Sequence, residues 1–192
     1  AVSDYLTKLR SYLLPAYPGI LMKTLFTTSD LYASNDAYEM ATRLRTHLPP
    51  WFIVSYLNEP PLQALKDSIH SGFGIIQGIG HGDVNMFRVR NSPREHATNY
   101  FFDSLANINR YALFDAITCY TGPFHSDCLG EHWVNNRTGG GIAYVGPSSS
   151  SEGYFHEDFT SVFYDSLFSF PLGEALGRSK IPFIPQSQYD NW

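Results

Sequence analysis

One cysteine and one histidine are placed where enzymes commonly keep reactive groups. Cys119 follows the apolar segment 112–118, and the turn-forming segment 120–123 comes directly after it. His81 lies between Gly80 and Gly82 at the end of a second apolar segment, 73–79. Reactive groups in an open α/β sheet collect at the carboxyl ends of the strands. A lone cysteine or histidine is usually incidental, but the two strand ends together predict a Cys–His dyad.

A thiol beside an imidazole suits nucleophilic attack on an acyl carbon. Cysteine needs only partial deprotonation, which a neighbouring imidazole assists. His81 can then protonate the leaving amine. The developing oxyanion needs hydrogen-bond donors, and the backbone N–H groups of Gly82 and Cys119 are the candidates. The expected product of the first step is an acyl-enzyme thioester, which water hydrolyses.

Four segments around these residues resemble a known family. They cover residues 80–82, 118–124, 128–133 and 141–148. They are similar to the catalytic domain of the gingipain-type cysteine peptidases, family C25, which belongs to the caspase-like group. The resemblance runs from about Val2 to the end of the chain. It implies one caspase-like catalytic domain over residues 1–192, an α/β fold with three α/β/α layers and a mostly parallel sheet with helices on both faces.

The resemblance also implies roles that the pattern alone does not assign. An acidic residue after the first strand would orient His81, and the matching region offers Asp30. A carboxylate would pair with a basic substrate residue before the scissile bond. By rough alignment, Asp36 falls where arginine-specific members place that acid, and Glu152 falls near the place of the lysine-specific acid. Tyr154 could line the same pocket, and Asp36 could equally serve only as a helix N-cap.

Composition excludes several function classes. The chain has 192 residues, of which 43% are hydrophobic and 16% are charged, enough for one packed domain. No apolar run approaches the roughly 20 residues that span a bilayer, so the chain is not expected to be membrane-integral. The net charge of −5 and the scattered Lys and Arg residues argue against nucleic acid as a partner. Two cysteines are too few for a disulfide framework, and both are expected to be free thiols.

Ligand-binding patterns elsewhere in the sequence are weak. The glycines at 78, 80 and 82 imitate a dinucleotide loop, but the third glycine of that motif would fall at Asp83. A zinc site is conceivable from the spacing of Cys119, His125, Cys128 and His132, yet these residues straddle a strand end and a helix. The tripeptide 136–138 fits a glycosylation acceptor by chance. The chemistry requires no cofactor and no metal; the resemblance allows structural calcium, although no D-x-D-x-D-G loop is present.

The resemblance predicts a context as well as an activity. Residues 1–4 lead directly into a helical pattern with no signal peptide. Relatives are secreted with further modules, including an α/β subdomain upstream of the matching segment. We therefore expect an excised part of a longer secreted or cell-surface protein of bacterial type. Its expected partners are a protein or peptide substrate and other domains of the same precursor.

Apolar periodicity predicts the elements that position these groups. Predicted helices cover about 5–13, 37–48, 61–69, 101–108, 128–134 and 157–168, and predicted strands cover 20–27, 51–56, 73–79, 112–118 and 142–145. The polar segment 83–99 is predicted to be a surface loop overhanging the site, and 148–153 a flexible loop. Residues 171–192 receive no assignment. Because strands alternate with helices and the reactive residues follow strands, the pattern predicts a mostly parallel sheet.

Two other functions remain open at this stage. A sortase-like transpeptidase would use the same dyad, with an amine in place of water as the acceptor. A catalytically inactive, peptide-binding scaffold would need neither residue. The presence of both His81 and Cys119 favours an active cysteine endopeptidase over the scaffold.

Overall fold

The computed structural model describes residues 2–184. Its strands are β1 (Lys23–Thr28), β2 (Ile53–Asn58), β3 (Ile75–Ile79), β4 (Gly82–Asp83), β5 (Met86–Arg90), β6 (Glu95–Thr98), β7 (Ala112–Ile117) and β8 (Gly141–Val145). Its α-helices are α1 (Val2–Leu13), α2 (Asp36–Leu44), α3 (Leu62–Ser71), α4 (Asn99–Asp103), α5 (Leu129–Asn135), α6 (Gly153–Leu167) and α7 (Leu172–Lys180). Short 3-10 turns cover Pro18–Met22, Arg45–His47 and Ile181–Phe183.

The main sheet has five parallel strands in the order β2-β1-β3-β7-β8. Every residue of β3 and β7 is buried, as expected for central strands covered on both faces. β1 pairs with β2 on one side and with β3 on the other, so the order of connection reverses between β1 and β3. Ligands of open α/β sheets bind at such a switch point, outside the carboxyl ends of the strands.

Two apolar clusters cover the faces of this sheet. One cluster packs α3, α4 and α5 against it, with the rings of Phe102, Phe114 and Trp133 in mutual edge contact. The other packs α2, α6 and α7, and is centred on Phe26 and Phe163. Helices therefore lie on both faces, and the three-layer α/β/α arrangement and the parallel sheet are confirmed.

Helix α1 fastens to the β8 side of the sheet through polar contacts. Tyr5 Oη donates to the carbonyl oxygen of Ile142 at 3.0 Å. The buried Lys8 ammonium donates to Val134 O at 2.9 Å and to Gly141 O at 3.3 Å. Burial lowers the pKa of Lys8 to about 8, although Asp4 acts in the opposite direction.

Among residues 2–184 no helix has the length and apolar character needed to cross a bilayer.

The segment 83–99 was wrongly predicted as a surface loop. It forms most of a second sheet, in which β4, β5 and β6 pair antiparallel. In β5, Phe87 and Val89 are buried, whereas Met86, Arg88 and Arg90 are partly exposed. This alternation of period two places one side of the small sheet in the core beside Phe114. The long polar side chains between the apolar ones concealed a strand that is only half buried.

Other differences concern the ends of elements. β1 begins at Lys23 rather than at residue 20, because Pro18 starts a 3-10 turn that runs to Met22. The helix predicted over 101–108 covers only Asn99–Asp103. Helix α6 begins at Gly153, four residues before the predicted start. Helix α7 occupies part of the segment that received no assignment, and 185–192 lie outside the described residues.

Candidate active site

The carboxyl ends of β1, β3 and β7 meet at a small cleft. Loops after these strands, the serine-rich loop after β8 and the start of α6 form its walls. The residues that line it are Leu31, Tyr32, Gly80, His81, Ile117, Thr118, Cys119, Ser151, Gly153 and His156. The structure therefore brings Cys119 and His81 into one cleft.

The His81 ring is held by a backbone carbonyl. Its Nε2 lies 2.9 Å from the carbonyl oxygen of Leu31, in the loop after β1. A carbonyl oxygen only accepts hydrogen bonds, so Nε2 carries the proton and Nδ1 keeps a lone pair. The Tyr32 ring lies nearly perpendicular to the imidazole, with ring centroids 6.4 Å apart. His81 O accepts from Arg88 N at 2.8 Å, which ties the end of β3 to the small sheet.

Asp30 does not orient His81, contrary to the expectation from the resemblance. Its Oδ1 accepts from the backbone N–H of Asn35 at 2.9 Å, so the carboxylate organises its own loop. Its backbone N–H donates to Glu59 Oε1 at 2.9 Å. The neighbouring residue, Leu31, supplies the partner of the imidazole instead. The contact with the imidazole in the loop after β1 thus comes from a backbone carbonyl rather than from the Asp30 side chain.

Cys119 lies between the end of β7 and a turn with unusual backbone geometry. Its Sγ accepts from Ser151 N at 3.4 Å and donates to Ser151 O at 3.4 Å. The next residue, Tyr120, adopts a left-handed conformation with φ of 55°, which is uncommon for a residue with a side chain. Its N–H donates to Ser149 O at 2.9 Å. Such conformations persist where the surrounding structure fixes them, and they cluster at active sites.

Gly82 packs directly against the turn that carries Cys119. A Cβ at this position would lie 2.0 Å from Thr118 Oγ1, 2.9 Å from Thr121 Cγ2 and 3.0 Å from Cys119 O. Only a residue without a side chain allows the backbone of β4 to approach so closely. The backbone of Gly82 therefore lies beside that of Cys119, as an oxyanion site built from both residues requires.

The two carboxylates predicted to bind substrate have different surroundings. Asp36 accepts from the backbone N–H groups of Leu31, Tyr32, Ala33 and Ala37 at 2.6–2.9 Å. Burial alone would raise the pKa of Asp36, but these hydrogen bonds outweigh it and the pKa is lowered. Asp36 thus shapes the loop after β1 and is absent from the cleft wall, while Asn35 occupies the N-cap position of α2.

Glu152 and Tyr154 lie at the rim of the cleft rather than in its wall. Glu152 is exposed, and its Oε2 accepts from Tyr32 Oη at 3.3 Å. Tyr154 is 63% exposed and stacks on Tyr32 with ring centroids 6.3 Å apart. Tyr32 therefore connects the loop after β1 with the start of α6 across the opening, a contact that the sequence interpretation did not anticipate.

The sequence did not predict that His156 and Ser151 belong to the cleft. His156 is buried at the floor of the cleft, and its Nδ1 lies 3.2 Å from Ser151 Oγ. Burial lowers the pKa of His156 to about 4, although a hydrogen bond to the Thr118 backbone acts in the opposite direction. The available signal was the spacing of His156, Thr160 and Tyr164, which places a polar stripe on the buried face of α6.

Asp115 lies on β7, four residues before Cys119, and is completely buried. Burial raises its pKa to about 7, against smaller effects of Thr160 and of the Ala116 backbone. Although Thr160 is nearby, neither carboxyl oxygen finds a well-formed hydrogen bond within residues 2–184. The geometry thus describes a carboxyl group that is easier to keep neutral than to ionise.

The zinc alternative is not supported by the surroundings of its candidate ligands. His132 is occupied by Asp103 at 2.7 Å and by Asp127 at 3.0 Å. Cys119 and Cys128 are free thiols. Within the described part of the chain, no three His, Cys, Asp or Glu side chains group closely enough to hold a metal ion.

The sequence matches peptidase family C25 over residues 1–192. The chain belongs to this family. Its fold is similar to that of the Arg-specific cysteine proteinase gingipain R (RgpB), with a TM-score of 0.73 and 12% identity over 95% of this chain and 48% of that one. A complex of the Porphyromonas gingivalis RgpB pro- and mature domains matches with a TM-score of 0.72 and 12% identity, over 96% and 49%.

A third solved structure, described as a protease, matches this C25 chain with a TM-score of 0.69 and 17% identity, over 88% of this chain and 41% of that one. The chain thus spans about half the length of these structures, and at such identities the likeness concerns the fold. No curated protein matches the sequence.

Proposed function

We propose that this C25 chain is the catalytic part of a cysteine endopeptidase, with Cys119 as the nucleophile and His81 as the acid and base. The observation that carries the proposal is the shared cleft, in which both side chains follow neighbouring parallel strands. Family membership adds the reaction class. All the groups used by the reaction belong to the chain itself.

The proposed reaction begins with transfer of the Cys119 thiol proton to His81 Nδ1. The sulfur attacks the substrate carbonyl carbon, and the N–H groups of Gly82 and Cys119 donate to the oxyanion. The C–N bond then breaks while His81 returns the proton to the departing amine. Water then attacks the thioester while His81 takes a proton from it. The C–S bond breaks, the carboxylic acid leaves, and His81 returns the proton to the Cys119 sulfur.

Leu31 O takes the orienting role that the sequence interpretation gave to Asp30. It fixes the proton on Nε2, so that Nδ1 is the nitrogen available to the thiol. When the ring is protonated, the same carbonyl accepts a charge-assisted hydrogen bond and so stabilises the imidazolium. A backbone carbonyl keeps its position without holding a second charge in the cleft.

We infer that Glu152 rather than Asp36 meets a basic substrate residue. Asp36 already receives hydrogen bonds from the backbone at positions 31, 32, 33 and 37. Glu152 is exposed at the rim and lies between Ser151 and Gly153, both of which line the cleft. The hydrogen bond that its carboxylate accepts from Tyr32, at 3.3 Å, is long enough to be exchanged for a substrate cation. The preferred residue before the scissile bond is therefore Arg or Lys.

The context follows from the family. The chain is proposed to act outside the cell or at the cell surface, on protein or peptide substrates, alongside other domains of its precursor.

The same thioester would also serve a sortase-like transpeptidase if an amine entered in place of water. Adding a nucleophilic amine such as glycinamide and identifying the product by mass separates hydrolysis from transfer.

The test is labelling by peptidyl acyloxymethyl ketones that carry Arg, Lys or a neutral residue before the warhead. Intact mass and peptide mapping identify the labelled cysteine. We expect rapid modification of Cys119 with a preference for basic probes, and its loss in His81→Ala. Cys128→Ser is the matched control. Cys128 is only 3% exposed, so its replacement should leave the labelling of Cys119 unchanged. Equal or absent labelling of the two thiols in a folded chain would refute the nucleophile and leave the peptide-binding scaffold.

A further inference from the structure

Ser151 and His156 form a connection to the Cys119 thiol that the proposed reaction does not use. The peptide of Ser151 brackets the sulfur, with its N–H and its carbonyl oxygen each 3.4 Å from Cys119 Sγ. The Ser151 side chain points to α6, where its Oγ lies 3.2 Å from His156 Nδ1. A continuous line of contacts thus leads from a buried imidazole to the sulfur.

The hydrogen bonds of His156 assign a role to each ring nitrogen. The Thr118 backbone raises the pKa of the His156 ring against the larger effect of burial, as a carbonyl oxygen beside a ring N–H does. That carbonyl only accepts, so the nitrogen facing it carries the proton. Nδ1 is then the acceptor for the Ser151 hydroxyl. The neutral imidazole of His156 therefore connects Thr118, which precedes Cys119, with Ser151, which contacts the Cys119 thiol.

The anchor matters because of the loop to which Ser151 belongs. Residues 148–151 are all serine, and this composition gives the segment no apolar contact of its own. Helix α6 begins directly after it, at Gly153, and His156 lies in its first turn. The buried face of α6 packs against the sheet through Phe163 and Tyr164. His156 is thus a rigid point from which a polar loop can be held.

We propose that His156 is a positioning residue that holds the Ser151 peptide against Cys119, so that the Ser151 N–H stabilises the thiolate sulfur. This inference rests on the proposed function, in which Cys119 is the nucleophile. His156 itself does not touch the reacting atoms and acts through Ser151. A hydrogen bond to an ionised sulfur favours the thiolate, which is the reactive form of cysteine.

The test measures alkylation of Cys119 by iodoacetamide between pH 5 and pH 9, with peptide mapping to separate it from Cys128. Three variants are compared with the native chain: Ser151→Ala, His156→Phe and the double variant. We expect His156→Phe to lower the rate constant at pH 6.5 about tenfold, as the loss of one hydrogen bond to a charged atom does, and to move the profile to higher pH. Ser151→Ala should lower it by a similar factor, because it removes the hydroxyl through which His156 acts. The double variant should equal His156→Phe, because the two residues act in series.

Controls separate positioning from loss of stability. Thr160→Val alters the same buried stripe of α6 one turn further on, and should change the melting temperature without changing the alkylation profile. His156→Asn, which keeps an acceptor for the Ser151 hydroxyl, should recover part of the rate. Ser151→Ala alters a partly exposed side chain, so the test stands even where His156→Phe fails to fold.

The outcomes distinguish this inference from the proposed function. Native Cys119 reacting no faster than free cysteine would overturn the proposed function. Fast native alkylation that Ser151→Ala and His156→Phe both leave unchanged would overturn the positioning role alone. Strictly additive effects in the double variant would also overturn it, because they would show that His156 acts independently of Ser151.

Discussion

Gly82→Ala tests how closely β4, which begins directly after His81, must approach the turn that carries Cys119. The added Cβ would lie 2.0 Å from Thr118 Oγ1, 2.9 Å from Thr121 Cγ2 and 3.0 Å from Cys119 O. Carbon and oxygen atoms in contact normally lie about 3.5 Å apart, so the added Cβ is too close to the Thr118 hydroxyl by about 1.5 Å and to the Cys119 carbonyl oxygen by about 0.5 Å. Rotation of Thr118 alone does not relieve the clash, because the Cys119 carbonyl belongs to the backbone.

The expected cost appears in both reactivity and stability. A misplacement of about 1 Å at a reacting group lowers rates by roughly 100-fold, so the rate constant of acyloxymethyl ketone labelling at Cys119 should fall by about that factor. Overpacking should lower the free energy of unfolding by about 1–3 kcal/mol, measured by urea denaturation.

The matched control is Gly177→Ala in the interior of α7, where a Cβ would meet no atom within 4 Å. This change should leave labelling unaltered and raise stability by about 0.5–1 kcal/mol, since alanine favours a helix over glycine. Labelling of Gly82→Ala within about threefold of the native rate would refute the close-packing argument and remove Gly82 from the proposed oxyanion site.

Three further predictions concern charged groups. Glu152→Gln should lower the preference for Arg or Lys probes over the neutral probe by about three- to tenfold, because an exposed charge is partly screened; an unchanged preference removes Glu152 from substrate binding. Asp36→Asn should instead lower the free energy of unfolding by about 1–3 kcal/mol, seen in urea, without changing that preference. Burial raises the pKa of Asp115 to about 7, so the neutral carboxyl group stabilises the folded chain below pH 4. This stabilisation, about 4 kcal/mol in all, is lost as the pH rises towards 7. The urea midpoint of His156→Phe, which keeps Asp115, should therefore fall between pH 4 and pH 8. The midpoint of Asp115→Asn should not show this fall, and identical pH profiles of the two variants would contradict the prediction. Native His156, with a pKa lowered to about 4, opposes the trend, because its contribution is present above pH 6.5 and is lost on acidification.

The main sheet was predictable because its strands are long apolar runs bounded by turns. β3 and β7 are buried along their whole length, so their composition alone marks them as central strands. β5 was missed because a half-buried strand of five residues offers only two apolar side chains to the core, Phe87 and Val89. Its signal is an alternation, and the arginines at 88 and 90 made the segment look like a polar loop.

The same difference divides the residues of the candidate site. Cys119, His81 and Gly82 were visible because their side-chain types and their places after strands both carry information. Leu31 was not visible, since its contribution is a backbone carbonyl, which every residue has. Asp30 was chosen for its carboxyl group, and the fold directs that group to Asn35. His156 required knowledge of which face of α6 is buried.

The two thiols differ in solvent exposure, and this difference determines which of them an oxidant can reach. Cys119 is partly accessible, whereas Cys128 is buried at the start of α5, and the chain has no other cysteine. A sulfenic acid formed at Cys119 would therefore lack an accessible partner thiol within the chain to trap it as a disulfide. Its rescue depends on small thiols in the surroundings, and without them oxidation proceeds to the irreversible sulfinic acid. The proposed activity should therefore follow the reducing capacity of the environment.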